Sequence, residues 1–417
     1  KETAFNALDT WSHFLPTSDG GYSTYGFASD EITTPLDKET NAIKFMKGEQ
    51  SVSDPKLSLW SGYNASGRGQ GSLWQGIRSC NILVDNIDLV IDMNQDEKNQ
   101  WKAEVEFLKA YYHYLLLINY GPIPIVDVNF PISASDEEIR VKRQPVDDVV
   151  NYIVQTIDEA IINLPLRFTG SNDMGRVDQV IAKAIKSRVL LFSASPLFNG
   201  NGEFYSGFKN QEGVNFFNIN HNAQKWQLAA DAASEAIDAA LEQGISLYNY
   251  NGDVPTFDTF NYINPFIKSQ YNVRHTVTDP WNSELIWGNS SPVTNWWKLQ
   301  EGSLMKNPTA SSVEAAWQWI APTLRMAELY YTKNGLPIEN DITFDYSNRY
   351  EVASVEFTQR YIAQYGQRTA KLNLNREPRF YASLAFDRGI SRSWGQLWNL
   401  KMRKGESHGR FANTSDY

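Results

Sequence analysis

The sequence predicts an all-α fold of tetratricopeptide-like helical hairpins, followed by a large irregular, loop-rich and aromatic-rich second half. In five segments between residues 73 and 243, apolar residues recur every three or four positions, as on one face of a helix. Short connections between long helices favour antiparallel pairs. After Gly244 this periodicity fades, and Asn, Pro, Gly and aromatic residues dominate up to Pro322. We therefore expect a helical scaffold over residues 73–243 and an irregular layer over residues 244–417.

The first predicted helix lies near Leu73–Ile91, and the second starts about 22 residues after the start of the first and ends at Tyr120. Each carries apolar residues at helical spacing: Ile77, Cys80, Val84 and Ile87 in the first, and Trp101, Val105, Leu108, Tyr112, Leu115 and Ile118 in the second. Gly121-Pro122 ends the second helix, because Gly suits a helix C-terminus and Pro cannot continue the hydrogen-bond ladder.

The third predicted helix begins after Pro145, and Asp147 and Asp148 lie near its positive dipole end. Its apolar face holds Val146, Val149 or Val150, Ile153, Ile157, Ile161 and Leu164. The fourth helix runs from about Val177 to Ser195. The first two helices start about 22 residues apart and the third and fourth about 32, which matches the 34-residue tetratricopeptide period only loosely. The fifth, near Ala223–Gln243, has small alanine faces that suit close packing.

The second helix also carries a family resemblance. Its sequence AEVEFLKAYYHYLLLINYGPIPIV, at Ala103–Val126, resembles the SusD/RagB family, in which a long helix with Tyr-Tyr precedes Tyr-Gly-x-x-Pro. Further segments resemble family patterns in the family's order: Pro145–Pro165, Gly175-Arg176 through Ser193–Gly200, Met326–Tyr350 and Asn375–Tyr381. The resemblance covers most of the chain and implies one SusD-like domain over residues 1–417.

This resemblance implies a function, a location and a partner. SusD/RagB proteins are lipid-anchored lipoproteins of Bacteroidetes on the outer-membrane surface. They capture nutrients, mostly glycans, for a SusC-type TonB-dependent transporter. In the family a lipidated cysteine becomes the mature N-terminus, and a helical segment closes the chain. Cys80 lies inside a predicted helix, so we expect the chain to be partial at both ends.

Bulk composition excludes several other classes of protein. The net charge of −10 and pI of about 5.2 argue against nucleic-acid binding, since phosphates need a basic face. The single cysteine allows no internal disulfide, and no run of about 18 apolar residues exists to span a membrane. An apolar fraction of 42% predicts a globular protein.

Tryptophans concentrate in the irregular half, where six of thirteen fall between residues 281 and 319. An aromatic plate with polar neighbours binds both the C–H face and the hydroxyl rim of a sugar. A place in the core is the simpler interpretation for any single Trp, and Trp287, in Glu-Leu-Ile-Trp, is predicted to be buried. Trp296 and Trp297 point oppositely on an extended segment, which exposes at least one. The candidates from this half are Trp281, Trp296, Trp297 and Trp317.

A second candidate region is the glycine-rich segment LWSGYNASGRGQGSLW at Leu59–Trp74. Trp60 and Tyr63 supply aromatic rings, and Asn64 and Arg68 supply polar partners. A phosphate cradle at Gly67–Gly71 is a weak alternative, because the Lys-Ser/Thr of a Walker loop is missing. A turn entering the first helix is the simplest alternative. We predict that this region and the tryptophan region meet to form one exposed platform.

Signals for catalysis are weak. The five histidines are scattered, no HExxH or Gly-x-Ser-x-Gly occurs, and Glu104 and Glu106 point to different sides of a helix. Asn249–Asp253 is rich in oxygen ligands but lacks EF-hand spacing, so we expect no metal and no cofactor. The prediction is a non-enzymatic glycan-binding protein. The alternatives are a peptide-binding member of the family, a helical glycoside hydrolase and a protein-interaction module.

Overall fold

The computed structural model describes the chain in ten stretches. These are residues 31–33, 44, 47–49, 51–55, 59–61, 72–252, 265–288, 321–393, 396–403 and 406–407. The described residues divide into two compact units. The helical unit comprises residues 59–61, 72–247 and 283–288, and the irregular unit comprises residues up to 55, 248–282 and those from 321 onward. The expected single domain over residues 1–417 stays a prediction.

The helical unit contains six helices, and the mainly helical fold predicted from the sequence is confirmed. The helices are α1 Leu73–Asn86, α2 Gln95–Tyr120, α3 Val146–Ile161, α4 Gln179–Ala194, the single turn α5 Gly202–Tyr205, and α6 Gln224–Glu242. The first is shorter than predicted: it ends at Asn86, a 3₁₀ turn follows at Ile87–Leu89, and Ile91 is fully exposed.

Side chains of the preceding loops start three of these helices. Ser72 Oγ accepts from Gln75 N–H, Asn94 Oδ1 from Glu97 N–H and Asp178 Oδ1 from Ile181 N–H. Each bond satisfies one of the backbone donors that the first helical turn leaves free. At the other end of α2, Gly121 has φ of 67°, a left-handed conformation, and its N–H donates to Leu117 O.

Successive helices run antiparallel. Where α2 meets α3, the Ile123 carbonyl accepts from Gln144 N–H, while the His113 and Tyr152 rings lie 5.0 Å apart. Along this interface the residue numbers of α2 decrease while those of α3 increase, so the two helices are antiparallel. The same holds for α3 and α4, where Leu164 O accepts from Gln179 Nε2 at one end and Asp158 pairs with Lys186 further along.

The predicted apolar faces form one core between these helices. Ile77, Leu108, Tyr112, Ile153 and Ile157 are all completely buried. Burying a side chain of this size stabilises the fold by about 1.5–3 kcal/mol. Part of the second half of the chain also packs against this core, because the Trp287 ring lies 5.8 Å from the Phe107 ring and 5.3 Å from the Tyr111 ring.

The irregular unit contains short elements joined by ordered loops. Its helices are α7 Pro265–Thr278, α8 Leu324–Leu329 and α9 Pro378–Ser383. Three antiparallel pairs supply its strands: β1 Ile32–Thr33 with β2 Ala321–Pro322, β3 Val352–Ser354 with β4 Arg368–Ala370, and β5 Ile390–Ser393 with β6 Gln396–Asn399. Two 3₁₀ turns lie at Phe357–Gln359 and Lys371–Asn373. The fourteen-residue α7 was not predicted.

Candidate functional site

Six of the eight predicted ligand residues lie outside the described residues: Tyr63, Asn64, Arg68, Trp296, Trp297 and Trp317. Trp60 and Trp281 are described, Trp60 in the helical unit and Trp281 in the irregular unit. The single platform made from both regions therefore stays a prediction. Across the part of the chain that the structure describes, no helix is both long and apolar enough to cross a membrane.

Trp60 is packed against the helical core. Its ring meets the Trp74 and Tyr120 rings edge-on at 5.0 and 5.3 Å, and the Arg143 guanidinium lies 5.3 Å from its centroid. The backbone N–H of Trp60 donates to Tyr120 Oη at 3.0 Å. One residue earlier, Leu59 O accepts from Leu73 N–H at 3.0 Å, which holds the two ends of the glycine-rich segment together. These contacts make Trp60 an anchor of that segment.

Trp281 has a different environment. It is 37% exposed, and its φ of 53° lies in the left-handed region, which non-glycine residues seldom adopt. Such a backbone costs of order 1–3 kcal/mol unless its surroundings compensate. Asn282 fixes the turn, since its Nδ2 donates to Thr276 O and Asp279 O at 2.9 Å each. The fold therefore holds a large aromatic ring in contact with solvent.

A polar cluster precedes this ring at the end of α7. His275 Nδ1 donates to Asp279 Oδ1 at 2.7 Å, and the Tyr248 hydroxyl donates to Asp279 Oδ2. The hydrogen bonds from Tyr248 and then His275 lower the pKa of Asp279, while the same carboxylate raises the pKa of Tyr248 to about 12. Asp279 is thus a fixed acceptor that stays ionised, and Tyr248 stays a phenol, at neutral pH.

Aromatic rings extend the cluster on its other side. Tyr250 stacks on His275 with centroids 3.9 Å apart and planes 20° apart, and Tyr271 lies 5.5 Å from the same imidazole. Tyr250 N–H donates to Asn272 Oδ1 at 2.9 Å, which attaches the loop to α7. We call this set the α7 cluster: Tyr248, Tyr250, His275, Asp279 and Trp281. It combines the exposed indole of Trp281 with a carboxylate and a hydroxyl, which is the chemistry that sugar rings require.

Sequence reasoning identified only Trp281 of this set. His275 and Asp279 stand four residues apart, which places them on one side of a helix, and this spacing is the signal that was missed. Tyr248 and Tyr250 come from a preceding loop, and nothing in the sequence pairs them with α7.

The helical unit has a second group of titratable residues, and it is structural. Lys109 is buried and bonds Glu106 and Asp127 at 2.6 and 2.9 Å, and Tyr152 donates to the same Asp127 oxygen as Lys109. His113 is fully buried. Its Nδ1 donates to Lys109 O and its Nε2 accepts from Val126 N–H, so the ring is neutral. Burial lowers the pKa of His113 to about 4.

The bonds from Lys109 to Asp127 and from Val126 N–H to His113 hold the segment after α2 against that helix. Cys80 is also buried, and burial raises the pKa of its thiol to about 12. Among the described residues, no three His, Cys, Asp or Glu side chains converge as they would around a metal ion.

A helical-hairpin scaffold with an exposed aromatic turn defines a class of binding protein. A family model described as "Starch-binding associating with outer membrane" matches residues 58–191, and the model of the SusD family matches residues 283–415. The chain belongs to the SusD/RagB family. This family consists of carbohydrate-binding proteins associated with the outer membrane at the cell surface.

Solved structures agree with this membership. The chain is 26% identical to BT4246 with a TM-score of 0.76, and the match covers 98% of this chain and 68% of that one. A SusD-like protein, BF3747 of Bacteroides fragilis NCTC 9343, shares the fold at a TM-score of 0.61 and 16% identity, over 95% of this chain and 60% of that one. No curated protein matches the chain significantly in sequence.

Proposed function

We propose that this protein captures an oligosaccharide at the cell surface and delivers it to a SusC-type TonB-dependent transporter in the outer membrane. In the proposal the protein catalyses no reaction on the sugar. A lipid anchor attached upstream of Lys1 holds the protein at the membrane surface, where binding raises the local concentration of the glycan.

The observation that carries the proposal is the exposed Trp281 beside ionised Asp279. A sugar C–H face stacks on the indole, while Asp279, already held by Tyr248 and His275, accepts a hydroxyl hydrogen bond. Tyr248, His275 and Asp279 already hold one another through hydrogen bonds. Little side-chain entropy is therefore lost when the glycan binds. We expect modest affinity, since hydroxyls must give up water when they bind.

The first experiment is a glycan array followed by calorimetry on the glycan that binds best. The Trp281→Ala variant is expected to weaken binding at least about tenfold, which corresponds to 1.4 kcal/mol. The matched control is Trp226→Ala, because Trp226 is a 43% exposed tryptophan on α6 of the helical unit. Equal loss in both variants, or wild-type binding to peptides but to no glycan, would contradict the proposal.

The transporter is tested separately. Native protein extracted from membranes in mild detergent is expected to purify together with a TonB-dependent barrel. Recovery of the free protein alone, under conditions where such barrels stay intact, would remove the delivery step and leave glycan binding standing.

A further inference from the structure

An open groove of about 360 Å³ lies in the irregular unit, and its residues are distinct from the α7 cluster. Its polar lining comprises Arg360, Tyr361, Gln364, Gln367 and Asn399, and Tyr365 and Ile390 add apolar surface. Tyr365 is 63% exposed, and its ring meets the exposed Phe357 ring edge-on at 5.6 Å. The groove therefore combines hydrogen-bonding groups with an aromatic ring that solvent reaches.

Backbone hydrogen bonds hold the groove walls. Val355 N–H donates to Gln367 O at 2.8 Å, and Gly366 N–H returns to Val355 O at 3.2 Å, which closes the loop carrying Tyr365. Gly366 has φ of 76°, a conformation that favours glycine. Opposite, Ile390 N–H donates to Ile362 O at 3.0 Å. These bonds fix the backbone of the walls, so the backbone loses little freedom when a ligand binds.

The amide side chains set the chemistry of the groove. Gln364 Nε2 donates to Leu400 O at 3.1 Å, which orients that amide and leaves its oxygen as an acceptor. Within the described part of the chain, the side chains of Gln367 and Asn399 make no hydrogen bond. Each such amide offers two donors and an acceptor, which matches hydroxyl groups that also donate and accept.

Neutral groups supply most of the polar lining of the groove. Among the described residues that line the groove, Arg360 is the charged one, and its guanidinium lies 4.1 Å from the Phe357 centroid and 4.2 Å from the Tyr361 centroid. It also donates to Phe357 O and to the Tyr361 hydroxyl. The Arg360 guanidinium thus contacts its own neighbours, and it fixes the positions of the Phe357 and Tyr361 rings.

The geometry points to a second saccharide-binding site in this groove, one that takes neutral sugar units. A sugar ring stacks on Tyr365, and its hydroxyls bond the amides of Gln364, Gln367 and Asn399. This inference rests on the proposed function, because it assumes that the protein's ligand is a glycan. Two sites on one chain would bind a long polysaccharide more tightly than a short oligosaccharide, since the second contact is intramolecular.

The test is native affinity electrophoresis in gels that contain starch, laminarin, xyloglucan, galactomannan or arabinogalactan. We compare wild-type protein with Tyr365→Ala, Gln367→Ala and Trp281→Ala. Both groove residues are exposed, so the variants are expected to fold, which circular dichroism checks. Phe204→Ala is the control, because Phe204 is a 74% exposed aromatic residue of the helical unit.

For the polysaccharide that retards the wild type most, each groove variant is expected to weaken binding about 3- to 10-fold. A groove variant combined with Trp281→Ala is expected to lose more than either alone. Groove variants that migrate as wild type, while Trp281→Ala loses retardation, overturn the second site alone. A wild type that no neutral polysaccharide retards overturns the proposed function and this site together.

Discussion

The two units of this protein satisfy their buried polar groups in different ways. In the helical unit, backbone groups pair within helices, and buried charges pair with opposite charges, as Glu104 does with Arg176 at 2.6 Å. In the irregular unit Arg388 also pairs with a carboxylate, that of Glu406, but two other arginines donate to backbone carbonyls. Arg376 is completely buried and donates to the carbonyls of Ala327, Tyr330, Tyr331 and Leu372 at 2.5–3.3 Å.

A second arginine of the irregular unit works in the same way. Arg274 on α7 donates to Arg392 O at 2.8 Å, and at 3.4–3.5 Å to Tyr381 O and Ala382 O. Loops lack the repeating partner of a helix or sheet, so their carbonyls need side-chain donors. One guanidinium carries five donors in a fixed plane and can join several chain segments. We conclude that apolar packing stabilises the helical unit and that a few arginines help to stabilise the irregular unit.

The largest expected effect follows from Arg376. Arg376→Met removes this donor from four carbonyls. Tyr331 O keeps the Glu377 N–H, and each of the other three is worth about 1–3 kcal/mol, so we expect a loss of about 3–9 kcal/mol. Burial lowers the pKa of Arg376 to about 10, so the residue is charged at neutral pH. Hydrogen exchange is expected to show lost protection in residues 321–393. Arg368→Met is the control, because Arg368 is exposed and one carbonyl accepts from it. Equal effects would contradict the role of Arg376.

The helical unit is tested through its packing. Leu108 is completely buried, so Leu108→Ala is expected to lower the free energy of unfolding by about 2–5 kcal/mol. Urea unfolding followed by far-ultraviolet circular dichroism measures this loss. Leu191→Ala on α4 is the control, because Leu191 is 53% exposed, and its change is expected within about 0.5 kcal/mol. A Leu108 variant as stable as this control would place that residue outside the core.

This difference also explains how far the sequence predicts the fold. The five long helices carry apolar residues at helical spacing, and their observed bounds lie within a few residues of the predicted ones, apart from the early end of α1. The buried side of α7 holds Ile267, Gln270 and Tyr271, of which one is a polar amide. An apolar period is too weak there to reveal the helix.

The sequence likewise predicts the candidate site only in part. The density of aromatic residues identified Trp281, because composition is visible in the sequence. The convergence of Tyr248 on Asp279 spans 31 residues and depends on the path of a loop, which no periodicity encodes. The arginine-to-carbonyl bonds are equally invisible, since any carbonyl can accept from them.

The third prediction concerns the stability of the protein at acidic pH. His113 has its pKa lowered to about 4 in the folded state, against 6.5 when exposed, so the unfolded chain binds more protons between these values. Stability from this group is full above pH 6.5 and falls as the pH drops toward 4. We expect a loss of about 2 kcal/mol between pH 7 and pH 5. Urea titrations at both values measure it, and the loss is expected to shrink in His113→Gln. The same slope in both proteins would assign the loss to other groups.

The smallest expected effect on stability belongs to the residue with the largest expected effect on binding. Trp281→Asn removes an exposed ring and installs a residue that tolerates the left-handed backbone, so the free energy of unfolding is expected to change by less than about 0.5 kcal/mol. Trp60→Ala removes a ring held by Trp74, Tyr120 and Arg143 and is expected to cost about 1–3 kcal/mol. Urea titration and glycan titration of both variants separate the two roles. A stable Trp281→Asn protein that has lost its glycan assigns Trp281 to the ligand, because a ring needed for packing cannot leave without cost. A destabilised Trp281→Asn protein with unchanged glycan affinity would instead make Trp281 a packing residue like Trp60.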